Sequence, residues 1–309
     1  MTASRPPLRG ELRINEIMAR HTSWRIGGPA DRWYRPADLD DLVSFLSGLQ
    51  RDEPLFWLGL GSNILVRDGG IRGTVIAYTG ALNTLCTLPG HRVRSGAGVT
   101  CAKLSRFCAG HDLAGGEFLA GIPGALGGAL AMNAGAWGDD TWSHVEQVTI
   151  MDRHGGLQVC NRQDYEVGYR QVQGRREGWF VEAVLAFAPG VGADSRERVR
   201  ALLAQRNQTQ PIGLPSCGSV FRNPPGDHAA RLIEGAGLKG VTMGGAQVSK
   251  KHANFIINTG SARAADVEAL IQRVQDQVQA RYGVSLVTEV RIVGEPPQEL
   301  ESILSKSAQ

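Results

Sequence analysis

Apolar residues recur at helical spacing most clearly over residues 264–282, where Val267, Leu270, Ile271, Val274, Val278 and Tyr282 share one face. Gly283 follows at once and predicts the stop, because helices often end on a left-handed glycine. The same period predicts a helix over 38–49, with Asp38 as N-cap and Leu42, Val43, Phe45, Leu46 and Leu49 turned inward. Further helices are expected over 100–111, from 194 to about 209, and over 228–236. Short apolar runs predict strands at 55–58, 64–66, 74–78, 92–97, 145–151, 157–160, 179–187, 254–257 and 284–293. The runs at 145–151 and 157–160 flank His154-Gly155-Gly156 and read as a hairpin. Residues 1–20 read as an arm of uncertain structure, 171–178 as a polar connection, and 211–225, dense in Pro, Gly and Ser, as loop. The tail from Glu295 is expected to fray.

Helices and strands alternate irregularly, so the class is α+β. At 309 residues the chain has room for two or three domains. Hydrophobic residues are 42% and charged ones 20%, which places it among globular proteins. A net charge of +3 argues for neither a nucleic acid nor a membrane surface as partner. The polar start shows no signal core, and no stretch reads as a membrane span. Five scattered cysteines form no CxxC pair and fit neither a disulfide framework nor a zinc site. Cys101 and Cys108 fall on one helix face and read as core. A reducing cytoplasm fits this usage.

Two glycine loops carry the candidate chemistry. The stretch from Gly121 to Gly135 has no charge and is crowded with Gly and Ala. Pro123 is placed to open a helix whose free N–H groups and dipole would face an anion such as a pyrophosphate. The competing reading is a helix packed tightly on a neighbour. Upstream, the strand at 55–58 runs into Gly59-Leu60-Gly61-Ser62-Asn63, and strand resumes at Ile64. A Rossmann loop needs a third glycine where Ile64 stands, and a helix after it, so that reading fails. The turn can still form a nest of N–H groups for phosphate, or be a plain hairpin.

The motifs His21-Thr-Ser-Trp-Arg-Ile-Gly-Gly28, Leu58-Gly-Leu-Gly-Ser-Asn-Ile-Leu-Val66, Gly121-Ile-Pro-Gly-Ala-Leu-Gly-Gly128 and Met132-Asn-Ala-Gly-Ala136 occur in that order. Gly168-Tyr-Arg170, Pro215-Ser-Cys-Gly-Ser-Val-Phe-Arg-Asn-Pro224, His252-Ala-Asn-Phe-Ile-Ile-Asn258 and Glu289-Val-Arg291 complete the series. In this set the chain resembles the UDP-N-acetylenolpyruvoylglucosamine reductases, from about His21 to Gly294. The resemblance implies a two-lobed FAD-binding domain of the vanillyl-alcohol-oxidase type followed by an α+β substrate domain. The expected division is an arm at 1–20, an FAD domain at 21–190 with lobes at about 21–80 and 81–190, a substrate domain at 195–295 and a tail at 296–309. It also implies FAD and NADPH as cofactors. Gly59, Gly61, Ser62, Asn63, Ile64, Gly121, Ile122, Pro123, Gly124, Gly127 and Gly128 would hold the FAD phosphates. The short stretch between Arg170 and Trp179 resembles the type that lacks an inserted tyrosine loop.

By the same resemblance, flavin N5 delivers hydride to C3 of UDP-N-acetylglucosamine enolpyruvate, and C2 is then protonated to give UDP-N-acetylmuramate, a peptidoglycan precursor. The proton donor falls on Ser219. Arg170 would bind the enolpyruvyl carboxylate and stabilise enolate charge, and Glu289 would hydrogen-bond the same group or tune Arg170. Arg206, Arg222 and Asn223 suit the UDP diphosphate, and Tyr169 a place beside the substrate. The enzyme is expected to be a cytoplasmic monomer acting on small molecules. A flavin-dependent alcohol oxidase or dehydrogenase of the same fold is the alternative, although it has no need of the proton-donating set. A non-enzymatic flavin-storage protein is a third reading.

Overall fold

The structure, a computed structural model, describes residues 7–174 and 176–297. The chain divides into two compact units that do not follow chain order. The first holds residues up to Arg13, Trp33–Leu60 and Val75–Arg206; the second holds Ile14–Arg32, Gly61–Thr74 and Asn207 onward.

In the first unit, α1 (Leu39–Leu46) starts where Asp38 accepts the Asp41 N–H with its carboxylate. Asp41 is itself buried and takes hydrogen bonds from Tyr34 Oη at 2.5 Å and from the N–H groups of Arg9 and Ala37. Burial alone would raise its pKa, but these bonds hold it below the usual carboxylate value. Helix α2 (Cys101–Gly110) is capped by Thr100 and buries Cys101, Leu104 and Cys108 on one side, as the spacing predicts. Helix α3 (Leu126–Met132) follows the glycine stretch, and α4 (Gly192–Thr209) closes the unit. Five antiparallel strands lie in the order Leu157–Asn161, Val145–Met151, Trp179–Ala186, Arg92–Gly96, Leu85–Leu88. Their inner face and α2 and α3 bury Val93, Leu104, Leu119, Leu126, Leu130, Trp142, Ile150 and Leu185. Each such side chain contributes roughly 1.5–3 kcal/mol of hydrophobic stabilisation.

The second unit is built on α5 (Ala229–Gly235) and α6 (Ala264–Tyr282). Helix α6 has the predicted bounds and buries Val267, Leu270, Ile271, Val274 and Val278 of the predicted stripe, with Tyr282 half-buried against the same core, and Gly283 ends it at φ 68. Its first N–H groups, on Ala264 and Ala265, both donate to the Asp68 carboxylate, at 2.9 and 3.0 Å. The buried stripe packs with Trp24, Leu65, Val220, Phe221, Ile256 and Val290 in one core. Trp24 is fully buried, and its indole N–H donates to the Ile256 carbonyl. Strand Ile64–Val66 pairs in parallel with Arg291–Val293.

Several expectations are corrected. The arm contains a strand, Glu11–Ile17, in a four-stranded sheet ordered with Pro29–Arg35, Ile71–Ala77 and Leu55–Leu58. The strand expected at 74–78 is therefore longer at its start, and that at 254–257 lies at Ile256–Asn258. Residues 284–290 are not regular strand; only Arg291–Val293 is, and Thr288 makes an isolated bridge to Phe221. The polar connection holds the second strand of a hairpin, Tyr165–Gly168 with Gln171–Gly174. Glu295 bridges Gly70, and the tail expected to fray lies, from residue 298, outside the described residues. Among the described residues no helix is long and apolar enough to cross a membrane.

Candidate active site

The glycine stretch does not start its helix at Pro123. The helix begins at Leu126, with Ala125 as N-cap, and Pro123 is exposed in the loop before it. The first two helical N–H groups are not open to an anion: Leu126 donates to Val99 O and Gly127 to Ala97 O, at 2.8 and 2.9 Å. The glycines also answer to the protein's own packing. A Cβ on Gly127 would lie 2.9 Å from Ala97 Cβ and 3.0 Å from Tyr78 Oη, and one on Gly59 would lie 2.9 Å from the same hydroxyl. A Cβ on Gly121 would meet the Trp137 ring at 2.6 Å. Gly128 differs: it is half-buried, yet a Cβ there meets no atom within 4 Å.

These residues fit FAD. From Phe118 to Gly138 there is no charged side chain to oppose a diphosphate. Gly128 leaves open space beside bare backbone, and Ile122 is a buried apolar neighbour in the same loop. Within the same unit, Trp57 Nε1 and Thr79 Oγ1 are buried with no hydrogen-bond partner among the described residues. Buried donors of this kind are costly unless something else bonds to them.

Arg170 stands in the two-residue turn of the 165–174 hairpin, at φ 54. Left-handed backbone is uncommon for arginine and marks a position held by its surroundings. Its guanidinium donates to the carbonyl oxygens of Asn133 and Gly135, at 3.1 and 3.3 Å, and lies 5.1 Å from the exposed Tyr169 ring. Asn133 is the organiser that the sequence reading passed over. It ends α3 at φ 45, a conformation asparagine tolerates. Its amide donates to Gly168 O and accepts from Trp142 N–H, so the helix end, the hairpin and Arg170 are tied at one buried residue. Arg206, half-buried near the end of α4, has its pKa lowered by burial.

In the second unit, Ser219 lies half-buried in the loop between Gly218, at φ 82, and buried Val220. Glu289 N–H donates to Val220 O at 2.7 Å, which sets Glu289 beside the serine loop. Cys217 lies close enough to Glu289 to feel its charge; burial first, and that charge second, push the thiol well above its usual pKa. Asn254 fixes the loop from the other side. It accepts from Phe221 N–H at 2.9 Å, donates to Phe221 O at 2.8 Å, and takes Val220 N–H on its backbone carbonyl. The motif holding Asn254 was legible, but its job was not, because the contact spans 33 residues. Arg222 Nε is buried without a hydrogen-bond partner among the described residues. Asn223 is exposed, and its Oδ1 is committed to Ala229 N–H, so a ligand would meet its NH2 end.

Gly61, Ser62, Asn63 and Ile64 also belong to this unit. Gly61 has φ 63, and a Cβ there would lie 2.0 Å from His21 O. The hairpin reading of this loop is excluded, since Ile64 enters a strand whose partner is Arg291–Val293. Asn63 donates to Glu289 O.

A family model described as "FAD binding domain" matches residues 30–161, and one described as "UDP-N-acetylenolpyruvoylglucosamine reductase, C-terminal domain" matches 210–293. The chain is 63% identical over 295 residues to the UDP-N-acetylenolpyruvoylglucosamine reductase of Alkalilimnicola ehrlichii, covering 96% of this chain and 99% of that one. It is 60% identical to the protein of the same name from Methylococcus capsulatus, over 94% of this chain and 95% of the other. The crystal structure of the reductase from Thermus caldophilus superposes with a TM-score of 0.79 at 31% identity, covering 93% and 99% of the two chains. On identity across nearly the whole length, with both domain models matched in order, the chain belongs to the UDP-N-acetylenolpyruvoylglucosamine reductase family.

Proposed function

We propose that the protein reduces UDP-N-acetylglucosamine enolpyruvate to UDP-N-acetylmuramate with electrons from NADPH. FAD, when bound, would supply the redox chemistry, which is hydride transfer between NADPH and the enolpyruvyl group. The chain's own residues then have three tasks: holding a proton for C2, stabilising the negative charge that builds there, and orienting the substrate. Ser219 holds the proton at Oγ, where tight positioning offsets the weakness of a hydroxyl as an acid. Arg170 takes the enolpyruvyl carboxylate with Tyr169 beside it; its held backbone supports this, because a preoriented cation needs no reorganisation as charge develops. Glu289 acts on the same group and donates a hydrogen bond only in its protonated form. Arg222, Asn223 and Arg206 take the UDP diphosphate, and the unmet Arg222 Nε supports that role. The five cysteines are all free, which fits work in a reducing cytoplasm.

The observation that carries this reading is the 2.7 Å bond from Glu289 N–H to Val220 O, which couples the backbone of the glutamate to that of the serine loop. An alcohol oxidase has no use for such a pair. The test is anaerobic. NADPH should bleach the yellow protein, and colour should return on adding the enolpyruvyl sugar nucleotide. Rapid recovery in air alone, with peroxide release, would establish the oxidase instead.

A further inference from the structure

Tyr78 is not among the residues assigned to any ligand, yet both glycine loops of the first unit meet on it. Its ring is fixed from both ends of its backbone: its N–H donates to Leu58 O, and its carbonyl accepts from Ala81 and Leu82. The residue is only 5% exposed, and its ring lies beside Trp57 at 6.0 Å between centroids. The hydroxyl reaches the two places where a side chain is missing, 2.9 Å from the Cβ position of Gly59 and 3.0 Å from that of Gly127. Each of those glycines opens or ends a loop on which the FAD diphosphate is proposed to rest. Tyrosine hydroxyls in buried positions ordinarily find a hydrogen-bond partner. The Tyr78 hydroxyl oxygen stands between two stretches of bare backbone, within reach of a ligand that rests on them.

We propose that Tyr78 Oη–H donates a hydrogen bond to a diphosphate oxygen of bound FAD, so that the side chain filling the space under Gly59 and Gly127 is itself part of the cofactor site. The inference rests on FAD being the ligand of this unit. Burial keeps the phenol protonated well beyond its ordinary range, so it is a donor at every working pH. The gap under the loops thus has two uses. Glycine makes room for the phenol, and the phenol supplies the polar contact that the first N–H groups of α3, committed to Val99 and Ala97, do not.

Tyr78→Phe keeps the ring and removes only the hydroxyl. Flavin-fluorescence titration of the apoprotein should show FAD binding weakened by about tenfold, the scale of one hydrogen bond to a charged acceptor. The apoprotein melting temperature should stay within about 2 °C of wild type. The 31P resonances of bound FAD should shift, a signature that a purely supporting role would not move. An affinity within twofold of wild type with unchanged 31P resonances would overturn the proposal. So would a weaker affinity accompanied by a lower apoprotein melting temperature and unmoved resonances, which would make Tyr78 a buttress only. Wild-type protein unable to take up FAD would overturn the proposed function, and this inference with it.

Discussion

The Asn63 side-chain amide donates to the Glu289 carbonyl oxygen over 3.1 Å, and the Asn63 carbonyl accepts from Arg291 N–H at the same distance. One residue of a loop proposed to hold the cofactor is thereby bonded, on both its side chain and its backbone, to the segment that carries a proposed catalytic carboxylate. Asn63→Ala should cost about 1–2 kcal/mol in urea unfolding, because the Glu289 carbonyl loses a donor. It should also slow reoxidation by the enolpyruvyl substrate. A variant with wild-type stability and wild-type reoxidation would show that the bond does nothing.

Ser219→Ala should leave FAD content and NADPH-driven bleaching near wild type while slowing the second half-reaction by about 100-fold or more. Stopped-flow absorbance follows the two halves separately. Equal slowing of both would remove the serine from the proton-donating role.

The two neighbouring glycines of α3 should respond differently. Gly127→Val drives a side chain into Ala97 and Tyr78, and should destabilise the apoprotein by roughly 1–3 kcal/mol. Gly128→Val fills open space, so the apoprotein should melt normally but bind FAD at least about tenfold more weakly. Full flavin content in the Gly128 variant would show that no ligand uses that space.

Asn254→Ala removes a donor and an acceptor from buried Phe221 backbone and should cost roughly 2–4 kcal/mol. If the Ser219 loop depends on it, turnover should fall even where the protein remains folded. Turnover at the wild-type rate in folded protein would relieve Asn254 of any positioning role.

His252 is half-buried, and its Nδ1 accepts from Asn254 N–H, which requires the unprotonated nitrogen. Burial chiefly, and Lys239 in addition, hold its pKa below the ordinary 6.5. The unfolded chain therefore takes up this proton first as pH falls. Its contribution is complete above about pH 6.5 and is lost progressively below it, down to the folded-state pKa. Melting temperatures from pH 8 to 5.5 should fall less steeply in His252→Gln than in wild type. Parallel curves would assign the acid sensitivity to other groups.

Local pattern determined much of this protein. The six-residue apolar stripe of α6 and its stop at Gly283 were legible because helical period and a left-handed terminus are properties of adjacent residues. The order of eight motifs was enough to identify the family, and with it the FAD-binding domain followed by the family's C-terminal domain that the matches show. The proposed chemical roles of Ser219, Arg170 and Glu289 came from that resemblance, since a serine in a glycine loop has no distinctive pattern of its own.

Tertiary structure decided the rest. That Ile64–Val66 pairs with Arg291–Val293, more than 200 residues away, leaves no periodic trace in either segment. Parallel pairing between such distant segments is set by what each buries, not by a turn between them. The same holds for Gly59 and Gly127, whose missing side chains read in the sequence as room for a ligand and also make room for Tyr78. Composition reports that a side chain is absent; only packing reports which atom takes its place.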